Sequence, residues 1–157
     1  MRIASYNVNG VRGRLPRLLE WLEETRPDVA CLQEIKTADE TFPRAAIAAA
    51  GYASLTHGQR SHHGVAVLTR GGKAAVEVRR GLPKNDEDFR ARYLECDVGG
   101  LRIASVYVPN GNPVPSPNFD YKLAWTQRFL DHAAGLMAGG RPTILAGDFN
   151  VVPTNED

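Results

Sequence analysis

The sequence predicts an α/β protein. Short apolar runs of strand length, bounded by Gly, Asn or Pro, recur along the chain, and other segments repeat apolar residues at helical spacing. Their order is strand, helix, strand, helix, then a series of strands, then helix and strand. From the residues alone, this order predicts a mixed β-sheet with helices on one face.

The first two predicted helices each follow a short strand. Residues 2–7 form the first strand, which ends at "NVNG", where Asn and Gly favour a turn. A helix is predicted next, because leucines recur at helical spacing: Leu15, Leu18, Leu19 and Leu22. It ends before Pro27, since the residue before a proline disfavours helix. The apolar string "DVACLQE" predicts a buried strand. A second helix is predicted over 43–50, with proline at its start and Gly51 at its end.

After residue 51 the spacing of apolar residues shortens from a helical to a strand period. It predicts strands over 52–57, 64–69, 75–80, 92–98 and 101–108. Gly71-Gly72 and Gly99-Gly100 are predicted to be hairpin turns between pairs of them. A third helix is expected before Gly139, with one apolar stripe: Trp125, Phe129, Ala133 and Leu136. The string "PTILAGD" is the last predicted strand.

The composition is that of a soluble single domain. The 157 residues are 43% apolar and 24% charged, and no run approaches the ~20 apolar residues of a membrane span. We therefore expect a cytoplasmic protein without membrane contact. The net charge of +1 does not by itself indicate nucleic-acid binding. Cys31 and Cys96 lie in apolar runs, which favours small core residues over a disulfide or a zinc site.

Polar side chains stand at the C-terminal ends of predicted strands, where α/β folds usually place ligands and catalysts. They are Asn7, Glu34, Tyr107 and the pair Asp148 and Asn150. Each has an ordinary structural explanation as well: a turn residue, a solvated charge, a core aromatic or a helix or turn cap. Their shared position is what favours a site. Carboxylate and amide oxygens suit Mg2+, and a phenol can donate to a phosphate oxygen. Together they predict metal-assisted phosphodiester hydrolysis.

Other polar groups have simpler explanations. His62 and His63 with Arg60 fit a polar hairpin lip, although contact with a phosphate backbone is an alternative. We expect His132 to be solvated, and the string "KNDEDFRARY" to be a solvated loop. The sequence contains no P-loop, GxSxG or dinucleotide fingerprint.

Ordered strings along the chain resemble the exonuclease III family of DNA-repair nucleases, within the endonuclease/exonuclease/phosphatase superfamily. They are "SYNVNGVR", "PDVACLQEIK", "THGQRSHHGVAVLT", "RYLECDV", "YVPNG" and "ILAGDFNVVPTNED". The resemblance implies a four-layered α/β sandwich that cuts DNA 5′ to abasic sites and degrades it from 3′ ends. It implies double-stranded DNA as partner and Mg2+, with Mn2+ as an alternative, as cofactor.

The resemblance also implies residue roles. Asn7 and Glu34 look like metal ligands, and Tyr107 looks like the phenol at the scissile phosphate. Asp148 looks like the base that positions water, and Asn150 like its orienting neighbour; either is also a candidate ligand. The side chains expected to contact DNA are Arg12, Lys36, Asn110 and Lys122.

Family members continue beyond the point where this sequence ends, so residues 1–157 are expected to be a domain truncated at its C-terminal side. We expect an exposed sheet face, weak or no activity, and association with a second copy or a complementary C-terminal chain. Two alternatives stay open: a non-catalytic fragment that acts through such association, and another phosphoesterase of the superfamily.

Overall fold

The computed structural model describes residues 1–152 and Thr154. Its elements follow the predicted order, and the boundaries differ from the prediction by a residue or two. Pro153 and residues 155–157, the end of the last family-like string, lie outside the described residues. The elements are β1 (Ile3–Asn7), α1 (Leu15–Thr25), β2 (Val29–Gln33), a 3₁₀ turn (Asp39–Thr41), α2 (Arg44–Ala49), β3 (Tyr52–His57), β4 (Val65–Arg70), β5 (Val76–Arg80), β6 (Tyr93–Val98), β7 (Leu101–Tyr107), α3 (Pro117–Ala138) and β8 (Thr143–Asp148).

The described strands form two mixed sheets of four strands each. The first sheet has the order β1-β2-β4-β3, and the second has the order β5-β6-β7-β8. Within the first, β1 and β2 are parallel, and within the second, β7 and β8 are parallel. The remaining neighbours are antiparallel.

Three hydrophobic clusters divide the molecule into four layers. Helices α1 and α2 cover the outer face of the first sheet, where Leu18, Leu22 and Ile47 meet its side chains. The inner faces of the two sheets meet in a second cluster, and α3 covers the outer face of the second sheet. The alternation of inward and outward side chains along each strand produces this arrangement. The four-layered sandwich implied by the resemblance is confirmed, and the single sheet with helices on one face is wrong.

The expected exposed sheet face is also wrong, because the described chain contains strands of both sheets. Their inner faces bury one another through a set of side chains that are fully inaccessible: Val29, Cys31, Val65, Val67, Leu94, Cys96, Val98 and Ile103. Both cysteines therefore lie in the core, as predicted. Among the edge strands, β1 and β8 are mostly only partly buried, and all five residues of β5 are exposed.

One predicted turn does not join paired strands. Gly99-Gly100 closes the β6–β7 hairpin as expected. Gly71-Gly72 instead lies where the chain leaves the first sheet for the second, because β4 and β5 belong to different sheets. A Gly-Gly pair marks a change of direction in the chain, and only long-range packing decides which strands then pair.

The prediction for His132 is wrong, and the prediction of a solvated loop over "KNDEDFRARY" holds only for residues 84–90, which are mostly exposed, whereas residues 91–93 are buried. His132 Nε2 lies 2.7 Å from Oε2 of the buried Glu95, which joins α3 to β6. In the loop, Asp88 pairs with Arg128 of α3 at 2.8 Å, and Arg92 is buried.

Among the described residues, no helix is long and apolar enough to cross a membrane.

Candidate active site

Two parallel strand pairs bring the predicted site residues together. The register of β1 and β2 pairs Asn7 with Gln33, directly before Glu34, and the register of β7 and β8 pairs Tyr107 with Asp148. Because parallel strands end at the same sheet edge and the two sheets are stacked, all four side chains reach one place. The predicted convergence of Asn7, Glu34, Tyr107 and Asp148 is therefore observed.

Asn7 connects the two sheets at this point. Its Nδ2 donates to Glu34 Oε1 at 2.9 Å and to Asp148 Oδ2 at 2.8 Å. Its Oδ1 accepts from the backbone N–H of Asn9 at 3.1 Å. The amide therefore holds two carboxylates from different sheets in a fixed relation.

Glu34 is held in its ionised form. Burial acts to raise the pKa of its carboxyl, but hydrogen bonds from Lys36, Asn7 and Tyr107 outweigh it and lower the pKa below the usual value. Lys36 Nζ lies 2.8 Å from Oε2. Glu34 also has a φ of 52°, in the left-handed region that costs a non-glycine residue about 1–3 kcal/mol. Such strain directly after a buried strand is typical of functional positions.

The ring of Tyr107 lies between the side chains of His63 and Arg92. The ring of His63 lies 6.2 Å from its ring, and the guanidinium carbon of Arg92 lies 4.7 Å from the ring centroid. Burial raises the pKa of Tyr107 to about 12, and the neighbouring Glu34 adds to this effect. The phenol therefore keeps its proton near neutral pH and can donate a hydrogen bond.

Asn150 follows Asp148 but turns away from the two carboxylates. Its backbone N–H donates to Asp148 Oδ1 at 3.0 Å, which orients that carboxylate. Its side chain donates to the carbonyl of Val108 at 2.9 Å and accepts from Asn110 Nδ2 at 3.2 Å. The orienting role of Asn150 stays a prediction, for which this backbone contact with Asp148 supplies a geometry. In this placement the Asn150 side-chain oxygen accepts from Asn110 and is not directed toward the Glu34 carboxylate, so the two do not face one common cation position.

The side chains expected to contact DNA occupy different surroundings. Lys36 lies inside the site, where its Nζ also donates to Asn9 Oδ1 at 2.5 Å. Lys122 braces the loop after β8, because its Nζ donates to the carbonyls of Asn150 and Asn110. Arg12 is exposed on the loop between β1 and α1. Asn110 and Lys122 line a pocket of about 510 Å³ that reaches Asp148.

The oxygen atoms of this site suit a hard cation that takes only one or two of its ligands from the protein. Among the described residues there is no cluster of three or more His, Cys, Asp or Glu that could enclose a metal. Glu34 and Asp148 supply carboxylate oxygens at a partly open site, and Mg2+ typically uses one or two carboxylates with water and phosphate oxygens. Asn7 directs Nδ2 toward both carboxylates here, so it would need to present its oxygen to act as a ligand.

The sequence did not predict Arg92 as a residue of the site, and for His63 it offered contact with a phosphate backbone only as an alternative to a polar hairpin lip. Arg92 precedes β6 within a charged string, and His63 lies in a polar turn; neither follows an apolar strand. No local pattern distinguishes them, because their position beside Tyr107 depends on how the second sheet stacks on the first. An arginine in a segment that continues into a buried strand is the one available signal.

Residues 4–157 match the model of the endonuclease/exonuclease/phosphatase family. The chain belongs to this family. Exodeoxyribonuclease III of Haemophilus influenzae is 34% identical over 165 residues, covering 100% of this chain and 60% of that protein.

Two solved structures superpose on the whole chain. An AP endonuclease from Archaeoglobus fulgidus matches with a TM-score of 0.92 and 30% identity, over 100% of this chain and 60% of that one. A 3′ phosphatase from Neisseria, bound to a product DNA hairpin, matches with a TM-score of 0.93 and 33% identity over the same shares. The chain thus spans about 60% of the length of these relatives, whose names specify an exodeoxyribonuclease, an AP endonuclease and a 3′ phosphatase.

Proposed function

We propose that this site hydrolyses phosphodiester bonds in DNA with the help of Mg2+, for which Mn2+ can substitute. The observation that carries the proposal is the junction in which Asn7 bridges Glu34 and Asp148 beside the protonated Tyr107. It combines oxygen donors for a cation, a carboxylate for a water molecule and a donor for a phosphate oxygen.

The chain's own residues then have distinct roles. Glu34, with Asn7 beside it, would hold the cation, which supplies charge neutralisation at the phosphate when bound. Asp148 would orient the attacking water and accept its proton, since Asn7 and the backbone of Asn150 fix both of its oxygens. Tyr107 would donate to a non-bridging phosphate oxygen.

The substrate proposal rests on the relatives. Their names specify exodeoxyribonuclease, AP endonuclease and 3′ phosphatase activities, and one was solved with a DNA hairpin. We therefore propose duplex DNA with abasic sites or 3′ ends as the substrate class. Because the chain spans 60% of these relatives, we expect its activity alone to be weak or absent without the remaining portion.

Incision of a duplex with one abasic-site analogue tests the proposal, in Mg2+ and in chelator. Asp148→Asn removes the carboxylate that is proposed to orient the water and accept its proton. Asp131→Asn is the matched control, because it changes an exposed carboxylate on α3. With a relative's C-terminal portion added, we expect Mg2+-dependent cutting that Asp131→Asn retains and Asp148→Asn loses by at least about a hundredfold. Cutting that persists in Asp148→Asn, or none by the folded chain even when a relative's C-terminal portion is added, contradicts it.

A second candidate function is association with another polypeptide that completes the fold. The observation in its favour is a line of exposed apolar residues on α3, spaced two helical turns apart: Leu123, Leu130 and Met137. Further exposed apolar residues follow β8 at Phe149, Val151 and Val152. The alignment of these exposed apolar side chains along one side of α3 favours an interaction site there. The partner is a complementary C-terminal chain or a second copy.

A further inference from the structure

A groove between α1 and α2 lies at the end of the first sheet opposite the candidate active site. Its volume is about 780 Å³, against about 510 Å³ for the pocket that reaches Asp148. Its lining includes Arg70, the last residue of β4. Because β4 is antiparallel to β2, Arg70 lies beside the start of β2, whereas Glu34 follows the end of β2. We call this space the α1–α2 groove.

The lining of the α1–α2 groove is mainly apolar. The apolar side chains come from both helices, the end of α2 and β3: Leu19, Leu22, Ala46, Ala49, Ala50 and Tyr52. Ala49 and Ala50 are exposed, although the solvent face of a surface helix usually carries polar side chains. Because alanine is small, this side of the groove leaves room for larger apolar side chains that belong to a partner.

Two arginines, Arg26 and Arg70, bring positive charge to the α1–α2 groove. Arg26 follows α1 and is exposed, and none of the ion pairs among residues 1–152 includes it. Arg70 pairs with Asp28 Oδ1 at 2.9 Å, and Lys73 Nζ lies 3.8 Å from the same oxygen. The other oxygen of Asp28 accepts from the backbone N–H of Arg2 at 2.7 Å. Asp28 is therefore engaged by other groups, and the charge of Arg26 is left for an anionic partner.

Arg26 occupies a backbone position that favours glycine. Its φ is 45°, in the left-handed region, and its N–H closes α1 by donating to the carbonyl of Leu22 at 3.0 Å. Helices that end in this conformation usually do so with glycine, because a Cβ is strained there. Glu23, one turn earlier, also lines the groove, but its carboxylate forms no ion pair with Arg26 in the described part of the chain. Strained non-glycine residues are typical of functional positions.

We propose that the α1–α2 groove binds a short segment of a partner protein that combines apolar side chains with carboxylates. The apolar side chains would pack on the leucines of α1 and the alanines of α2, and a carboxylate would pair with Arg26. Short segments commonly bind in grooves between helices, and volumes of about 300–1,000 Å³ are typical of binding pockets. Since the groove and the candidate active site lie at opposite ends of the sheet, the partner and the substrate would not compete.

The first test asks which peptides the groove binds. A random peptide library displayed on phage is selected on the wild-type chain, after peptides that bind Ala49→Trp have been removed. Tryptophan at this exposed position of α2 fills the groove. The enriched peptides should combine apolar residues with aspartate or glutamate, because the unpaired cation favours an acidic segment over a basic one. Enrichment of peptides without carboxylates, or no enrichment, overturns the proposal.

The second test measures the affinity of an enriched, labelled peptide by fluorescence anisotropy. Ala49→Trp and Arg26→Glu should each weaken binding at least about tenfold, since they block the groove and reverse its free charge. The matched controls are Ala45→Trp, exposed on α2 outside the groove, and Arg17→Glu, exposed on α1. They should change it less than about twofold. Arg26→Gly relieves the strained φ and removes the charge, so it should fold stably and still weaken binding. Equal effects of groove and control variants overturn the proposal.

Two further measurements distinguish a partner segment from other occupants of the groove. In sedimentation equilibrium without peptide, Ala49→Trp should leave self-association unchanged, and its loss would assign the groove to a second copy of the chain. Duplex DNA at matched ionic strength should not displace the labelled peptide, and displacement would assign the groove to nucleic acid. Either of these contrary results overturns the proposal. The incision assay above is independent, because Ala49→Trp should cut DNA as the wild type does, and peptide binding requires no cutting.

Discussion

Burial and hydrogen bonding together determine the protonation of Tyr107 and the side chains around it. The phenol is held protonated, the imidazole of His63 is held neutral, and the Glu34 carboxyl is held ionised by its donors. Each state suits its proposed role without a bound ligand. The site is therefore organised electrostatically by the fold.

The depressed pKa of His63 makes a prediction about stability at low pH. Its pKa is about 4 in the folded chain, against an ordinary value of 6.5. Between these values the unfolded chain binds more protons, so the free energy of unfolding falls as the pH drops from 6.5 to 4. The contribution is fully present above 6.5. His57, whose pKa is also lowered by burial, acts in the same direction.

Replacing His63 should therefore reduce the fall in the free energy of unfolding between pH 6.5 and 4. We expect His63→Gln to lose less unfolding free energy than the wild type between pH 6.5 and 4, as measured by urea denaturation at several pH values. Equal pH dependence of the two proteins would show that His63 titrates normally in the folded chain.

At the same scale, strand-end position was enough to predict Asn7, Glu34, Tyr107 and Asp148 as a group. Those residues follow apolar runs, which the sequence displays directly. Arg92 could not be found in this way, since its burial depends on α3 and the neighbouring loop packing over it. The contact of His132 with Glu95 escaped prediction for the same reason: the partner that overrides solvation is distant in sequence.

Among the elements, α3 depends on two aromatic side chains. Trp125 is 2% exposed and stacks on Phe129 with ring centroids 5.7 Å apart, and both pack on the outer face of the second sheet. Ser116 caps the helix by accepting from the backbone N–H of Phe119 at 3.2 Å. Packing therefore anchors the helix that carries Lys122 to the site loop.

Truncation of Trp125 should be costly. We expect Trp125→Ala to lower the free energy of unfolding by about 3–5 kcal/mol, because the vacated volume cannot be refilled. Asp131→Ala, on the same helix at an exposed position, should change it by no more than about 0.5 kcal/mol. Urea denaturation of both variants measures the difference, and similar losses would contradict the packing described.

The elements themselves were predictable to within a residue or two because apolar periodicity is local. Their partners were not. Gly71-Gly72 looked like a hairpin turn, yet β4 and β5 join different sheets. The close approach of β8 to β7 was also hidden: a Cβ on Gly147 would lie 1.9 Å from the carbonyl oxygen of Val106. Such constraints arise from pairing, which single-strand patterns do not encode.

For the whole molecule, the open β1 and β8 edges and the apolar line on α3 predict association. We expect the isolated chain to self-associate in sedimentation equilibrium. Leu130→Lys should weaken this at least about tenfold, since burial of one leucine contributes about 1.5–3 kcal/mol. Val76→Lys, at an exposed residue of β5, should leave it unchanged. A purely monomeric chain, or equal effects of the two variants, would contradict this prediction.

The junction at Asn7 also has a consequence for how the chain acquires function. Asn7 and Asp148 are separated by 141 residues, and they meet only when the two sheets have docked. Closing so long a loop is among the slower steps of folding. A chain still emerging from the ribosome can therefore bring Asn7 and Glu34 together on β1 and β2, but it lacks the complete junction until β8 has been made and the second sheet has docked.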